Sequence, residues 1–434
     1  MMNKFKLTIL LFCLAPILLV GQNLTIDQAI EKALNNNYGI QISKNESEIA
    51  KNNNTIGNAG FLPDVNLSAS DNYNVANTKQ QFFTGEIRER NNAKSNTLTG
   101  SALLSWKIFD GFNMFVSRDQ LKLLESQRET NLKKSIEQTI AEVITTYYSI
   151  TLEQEKEKTI LSIIGVSAER KKIAGFKSEI GAGSELEFLR SGVDLNADSS
   201  ALLKQQLLTR NAKRKLKVLL GASISDTFSV DQKININPSL VYDDLSNKMK
   251  APNADLLLIN QNLELSNLQI KSIRSLRYPT LNLNAGYNYT QTASEVGIIQ
   301  SSTNKGMVYG ASLNFNIFNG LRTNTQAKNA RLDYENSKLT KEQMELELET
   351  NLQTLFQEYQ NSLTLIKLEE KNINAAKQNM TISLEKFKLG SINSVEMREA
   401  QNSYIEAQNR LSDEQFIAKR AETELLRLSG QLVK

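Results

Sequence analysis

Leu281-Asn282-Leu283-Asn284-Ala285-Gly286-Tyr287-Asn288-Tyr289-Thr290 puts apolar side chains at the odd positions, and amides, a glycine and a hydroxyl at the even ones. Period two is the mark of an extended strand with one apolar and one polar face. Three other stretches read alike. Val65, Leu67, Ala69 and Tyr73 alternate with Asn66, Ser68, Ser70, Asn72 and Asn74. Leu98, Gly100, Ala102, Leu104, Trp106 and Ile108 alternate with Thr97, Thr99, Ser101, Ser105 and Lys107. Met307, Tyr309, Ala311, Leu313, Phe315 and Ile317 alternate with Gly310, Ser312, Asn314 and Asn316. Each run is about ten residues long, the length of a tilted strand that crosses a bilayer. A soluble antiparallel sheet with one wet face gives the same alternation. Aromatics near the strand ends (Tyr73, Trp106, Tyr287, Tyr289, Phe318) favour a girdle at a membrane interface, and the polar stretches 76–96 and 291–306 suit exterior loops. The smallest closed barrels have about eight strands, so a chain with four must oligomerise if it spans a membrane.

The strands belong to a repeat. Phe61-Leu62-Pro63-Asp64-Val65-Asn66-Leu67 matches Arg277-Tyr278-Pro279-Thr280-Leu281-Asn282-Leu283 at an offset of 216. Trp106-Lys107-Ile108-Phe109-Asp110-Gly111-Phe112 matches Phe315-Asn316-Ile317-Phe318-Asn319-Gly320-Leu321 at 209, and the same offset relates Gly181 to Gly390, Glu187 to Glu396 and Gly221 to Gly430. A fixed offset held over so long a stretch indicates an internal duplication. The organisation expected is a first repeat over 22–221, a connector over 222–252 with little regular structure, and a second repeat over 253–434.

Each repeat has a helical pattern, a β-hairpin (63–109; 279–318), a long helix (112–176; 321–389) and a last helix (184–220; 393–429). The opening helices are expected at 26–60 and 253–277. At 1.5 Å per residue each long helix would extend about 100 Å. Ile136, Ile140, Val143, Ile144 and Tyr147, like Leu346, Leu348, Leu352, Leu355 and Phe356, recur at helical spacing and fit coiled-coil-like packing. The fold class expected is an α-dominated α+β membrane protein, a long helical wall joined to strands.

Composition narrows the function. The 434 residues hold no histidine and one cysteine, Cys13. That removes His-dependent triads, Cys/His pairs, His-ligated zinc and imidazole proton shuttles. Lys4 and Lys6 precede an apolar run from Leu7 to Val20, the order of a secretory signal peptide, with cleavage expected after Gly21. Without those two lysines the net charge falls from +4 to +2, so no nucleic-acid partner is indicated. No phosphate-binding loop occurs, and no cofactor is expected.

The ordered set of motifs resembles the TolC family of outer-membrane efflux proteins. It is carried by Leu24-Thr25-Ile26-Asp27-Gln28-Ala29-Ile30 with Ala33, Leu34 and Asn37, by Leu62-Pro63 and Tyr278-Pro279, by Phe109-Asp110-Gly111 and Phe318-Asn319-Gly320, and by Leu219-Leu220-Gly221. The resemblance implies a homotrimer whose twelve strands close one barrel in outer-membrane lipid. Its helices would form a periplasmic tunnel that meets a periplasmic adaptor and an inner-membrane transporter. It places the tunnel entrance at the turns around Gly181 and Gly390, with Glu187, Glu396, Glu399 and Phe387 at a constriction. Glu396 and Glu399 stand at i and i+3 on one helix face, so a trimer would present a carboxylate ring favouring cations and sensitive to divalent ions. Phe387 lacks the hydroxyl that the family often has there, Ile392 replaces an arginine, and Arg190 follows Glu187 by three; a latch of the family's best-known kind is not expected.

Two other readings start from the same residues. A periplasmic adaptor or coiled-coil scaffold would also carry long helices after a leader, but would not need two duplicated amphipathic hairpins. An exported hydrolase could use a carboxylate pair, yet no acidic pair lies in a strand-loop context.

Overall fold

The computed structural model describes residues 23–221, 228–250 and 253–432. The expected leader, Cys13 and the first residues of the connector lie outside the described residues. The chain divides into two compact units: one takes residues up to Ile40, Ile136–Met249 and the chain from Asn351; the other takes Gln41–Ser135 and Lys250–Thr350.

The second unit holds a four-stranded antiparallel sheet. Its strands β2 (Asp64–Gln81), β3 (Ile87–Asp110), β5 (Thr280–Ser294) and β6 (Ser301–Asn314) lie in the order β2-β3-β5-β6. The register pairs Val65 with Leu104, Leu104 with Ala285 and Ala285 with Tyr309, which gathers the odd positions of β2 and β5 into one largely apolar face, interrupted by Asp71, Lys94 and Lys305 towards the hairpin ends. Leu67, Tyr309 and Leu313 on that face are 86%, 84% and 66% exposed. The opposite face pairs Ser68 with Ser101, Ser101 with Asn288 and Asn288 with Gly306. Strands β2 and β6 are open edges. Among the described residues no helix is long and apolar enough to cross a membrane.

The strands differ from expectation at their ends. Residues 76–96, expected as a loop, are mostly ladder: β2 runs on to Gln81, β3 starts at Ile87, and the reversal is confined to 82–86. The register slips between Ala76 and Thr78, and Asn92 has φ 53°, so the extension is bulged. Residues 291–306 are likewise largely strand around a short loop. At its far end β6 stops at Asn314, short of Phe315 and Ile317, whose alternation had suggested a longer strand.

Each outgoing strand turns into a long helix, α3 (Asn113–Glu179, 67 residues) or α7 (Arg322–Leu389, 68 residues). The turn uses two consecutive left-handed residues in both repeats, Gly111 and Phe112 at φ 70° and 72°, and Gly320 and Leu321 at 67° and 65°. A Phe or Leu rarely adopts this region, so the turn is held by its surroundings. The Asp110 carboxylate accepts a hydrogen bond from the Met114 N–H at 3.0 Å and caps α3. The Asn319 amide donates to the Thr323 hydroxyl at 2.6 Å at the corresponding place. Within the same unit, α6 (Ala254–Ser275) is capped by Asn253, which accepts from the N–H groups of Asp255 and Leu256.

In the first unit the opening helix, expected as one, is broken into α1 (Ile26–Asn36) and α2 (Tyr38–Asn53), which continues into the other unit. Asn37 takes ψ 124°, donates its amide to the Leu219 carbonyl at 2.7 Å and accepts from the Ile40 N–H. The break is thus secured by α4 (Glu185–Leu220). The connector is more regular than expected: it contributes β4 (Ser229–Val230), parallel to β1 (Asn23–Leu24), and α5 (Tyr242–Met249). Around them Leu24, Ala29, Ala33, Val143, Tyr147, Ile150, Leu216, Leu220, Phe228 and Val230 form a core. The stripe on α3 packs as expected, with Val143 and Tyr147 fully buried, whereas Leu346 on α7 is 67% exposed. The last helix, α8, spans Ser394–Leu428.

Candidate entrance at the helical turns

Both turns lie in the first unit, between α3 and α4 and between α7 and α8. Gly181 and Gly390 end α3 and α7 in the left-handed conformation, φ 72° and 77°, the usual way to stop a helix. Ser184 then caps α4 and Asn393 caps α8. In the second turn the cap is reciprocal: Asn393 accepts from the Glu396 N–H at 3.0 Å, and the Glu396 carboxylate accepts from the Asn393 N–H at 3.0 Å.

The two turns are tied together. The Glu187 carboxylate accepts from the Ser394 N–H at 3.3 Å, placing an anion of α4 at the N-terminus of α8. The Lys177 ammonium donates to the Phe387 carbonyl at 2.6 Å and lies 5.2 Å from the centre of the Phe387 ring. Glu396 and Glu399 are exposed. Glu399 borders an open cleft with Arg190, Leu186, Leu189, Val193 and Val395.

Phe387, expected at the constriction, is 2% exposed within the chain and packs with Ile163, Ala174, Met380 and Met397. Its ring fastens α7 to its neighbours, while Glu396 and Glu399 are exposed alongside the apolar Ile180, Leu186, Leu389 and Val395.

A polar cluster behind the turns escaped the sequence reading. Arg170 of α3 is fully buried, donates to Gln401 at 2.9 Å and pairs with Asp194. Ser167 donates to Asp198 at 2.6 Å, and Gln401 donates back to Ser167 at 3.1 Å. Arg398 of α8 grips both oxygens of Asp198. Burial acts to lower the Arg398 pKa, but the hydrogen bond to Asp198 together with the charges of Asp198 and Asp194 outweighs it, and the guanidinium is raised above its ordinary value. The cluster joins α3, α4 and α8 with its charges paired. A signal was present: Ile163, Ser167, Arg170 and Ala174 share one helical stripe, so Arg170 stands in line with core positions.

Of the expected interfacial aromatics, Tyr73, Trp106, Tyr287 and Tyr289 lie on the sheet, whereas Phe318 lies beyond the end of β6. Trp106, paired with Leu283, donates its indole N–H to the Phe61 carbonyl at 2.9 Å. Tyr287 and Tyr289 sit farther along, opposite Ala102 and Gly100, on the apolar face.

Comparison with known proteins gives the family. The model for outer membrane efflux proteins matches residues 29–222 and 245–431. Nodulation protein T of Rhizobium leguminosarum bv. trifolii is 22% identical over 428 residues, covering 95% of this chain and 82% of the relative. Among solved structures, the CmeC outer membrane channel of Campylobacter jejuni superposes with a TM-score of 0.77 at 16% identity, covering 94% of this chain and 86% of that one. The outer membrane protein VceC of Vibrio cholerae gives 0.74 at 16% identity, covering 93% and 96%. The open state of the Neisseria gonorrhoeae MtrE channel gives 0.70 at 14% identity, covering 94% and 89%. The chain belongs to the outer membrane efflux protein family. It is an exit duct for efflux, seated in the outer membrane with its helical tunnel in the periplasm.

Proposed function

We propose that the duct is a homotrimer whose three sheets close a twelve-stranded barrel, and that it receives cargo from a periplasmic adaptor and an inner-membrane transporter. The observation that carries this is the sheet itself, with an exposed apolar face and open edges at β2 and β6. Unpaired strand edges are untenable in hydrocarbon, where each unmade backbone hydrogen bond costs several kcal/mol, and closure removes them. Trp106, Tyr287 and Tyr289 would lie in the lipid-facing band. The duct conducts passively and performs no covalent chemistry of its own, in keeping with a chain that has no histidine and no phosphate-binding loop.

The helical turns form the periplasmic entrance in this reading. Glu187, Glu396 and Glu399 supply its negative charge, while Gly181 and Gly390 shape the turns. Three copies of Glu396 and Glu399 around one axis would attract cations and bind divalent ions. Single-channel recording of the detergent-purified protein tests this beside Glu396→Ala/Glu399→Ala. The wild type should be cation-selective and blocked by divalent ions, the double variant less so. Equal behaviour of the two removes the carboxylates from the constriction. A soluble monomer that never inserts would instead favour an adaptor or scaffold.

A further inference from the structure

The polar face of the sheet carries an unusual uniformity. Asn66 pairs with Leu103, Leu103 with Gly286 and Gly286 with Val308; three residues of the next rung are Ser68, Ser101 and Asn288. Then come Ser70, Thr99, Thr290 and Asn304, followed by Asn72, Thr97, Thr292 and Ser302. Four successive rungs hold no charged side chain. The hydroxyls bond one another across strands, Ser68 to Ser101 at 2.8 Å and Ser70 to Thr99 at 3.2 Å. Charge appears only beyond these rungs. At one end Asp64 and Lys107 are of opposite sign, and at the other Arg88 pairs with Glu86 at 2.8 Å and Arg90 with Glu295 of the second hairpin at 3.2 Å.

We infer that the barrel lumen is a charge-neutral passage lined mainly by hydroxyl and carboxamide groups, with Leu103 and Val308 at one rung, which admits anionic, cationic and uncharged hydrogen-bonding cargo alike. The inference rests on the trimeric barrel proposed above, in which the polar face lines the pore. A solute there meets donors and acceptors in place of its hydration shell but no fixed field, so Coulombic selection is absent from this segment.

The test places one thiol at a time on the full-length channel with Cys13→Ser as background. Thr99→Cys lies in the middle of the neutral face and Leu67→Cys on the apolar face. In planar bilayers under a KCl gradient, a cationic and an anionic methanethiosulfonate reagent are applied to each. For Thr99→Cys the two reagents should shift the reversal potential in opposite directions by similar amounts, and Leu67→Cys should not respond. A response to the cationic reagent alone would show a lumen that is already acidic and overturn the inference. So would modification of Leu67→Cys with Thr99→Cys silent, since the polar face would then point away from the pore. Failure of every variant and of the parent to form channels would remove the barrel itself, a result distinct from either of these.

Discussion

The Arg398 guanidinium of α8 holds both carboxylate oxygens of Asp198 on α4, at 2.8 and 2.9 Å, with 6% of the aspartate side chain exposed. The pair is bidentate and nearly out of water, the arrangement in which losing one partner is most damaging. Arg398→Ala leaves the Asp198 charge with only the Ser167 hydroxyl and should cost about 3 kcal/mol, near the low end for a broken buried pair. Arg398→Lys should lose part of this, because an ammonium cannot reproduce the fork. Thermal unfolding of the purified protein in detergent measures both.

The two strand-to-helix turns should respond differently to the same change. A Cβ at Gly111 would stand 2.3 Å from the Ser275 carbonyl oxygen, whereas one at Gly320 meets nothing within 4 Å. Gly320→Ala should therefore cost only the left-handed backbone preference, about 1 kcal/mol. Gly111→Ala adds a backbone clash and should lower folded yield far more. The comparison is read from the amount of membrane-extracted protein and its melting temperature.

Tyr147 fastens the start of the described chain. Its hydroxyl donates to the Leu24 carbonyl at 2.8 Å and accepts from the Asp231 N–H at 2.9 Å, bridging the strands β1 and β4. Burial pushes the phenol well above the ordinary tyrosine range, so it stays neutral and can do both. Tyr147→Phe removes both bonds and leaves two backbone groups to find other partners, a loss of about 1–3 kcal/mol. Limited proteolysis should then cut near Leu24 sooner than in the wild type, while cleavage elsewhere is unchanged.

Acid should loosen the contact between α7 and α8. Glu369 accepts from Arg410 at 3.0 Å, and this bond holds its carboxyl below the usual glutamate value. A carboxyl lowered on folding adds stability that is fully present above its unfolded pKa, about 4.3, and is lost as pH falls through the lower folded value. The difference in melting temperature between wild type and Glu369→Gln should therefore be largest at neutral pH and shrink in acid. A difference that stays constant down to pH 3 would show that the glutamate's charge contributes nothing.

The strands and long helices were legible because their periodicities are unmixed: Leu281 to Thr290 alternates without interruption, and Phe112 to Phe176 contains no proline. The outer half of the first hairpin was not. Thr78-Lys79-Gln80-Gln81 and Arg88-Glu89-Arg90 have no apolar face, and their pairing rests on backbone bonds and on ion pairs such as Lys79 with Glu89. Helical periodicity also ran through Asn37, where the break depends on a carbonyl 182 residues away, that of Leu219. The turn residues were located by the duplication, but their surroundings were not. Nothing local to Phe387 says that Met380 and Met397 enclose it, and Asp198 and Arg398 look like solvated helix charges until their helices are brought together.

In the trimeric barrel proposed above, the bare margins of the sheet make membrane entry a collective act. Strand β2 is 18 residues long and β6 is 14, and within one chain neither has a neighbour on its outer side. A lone subunit would carry two rows of thirsty amides into oil, so association must precede or accompany insertion, and insertion should depend steeply on subunit concentration. In that trimeric barrel, one subunit with both margins damaged spoils two seams at once. A mixture of intact and margin-damaged copies should thus lose working ducts faster than in proportion to the damaged fraction.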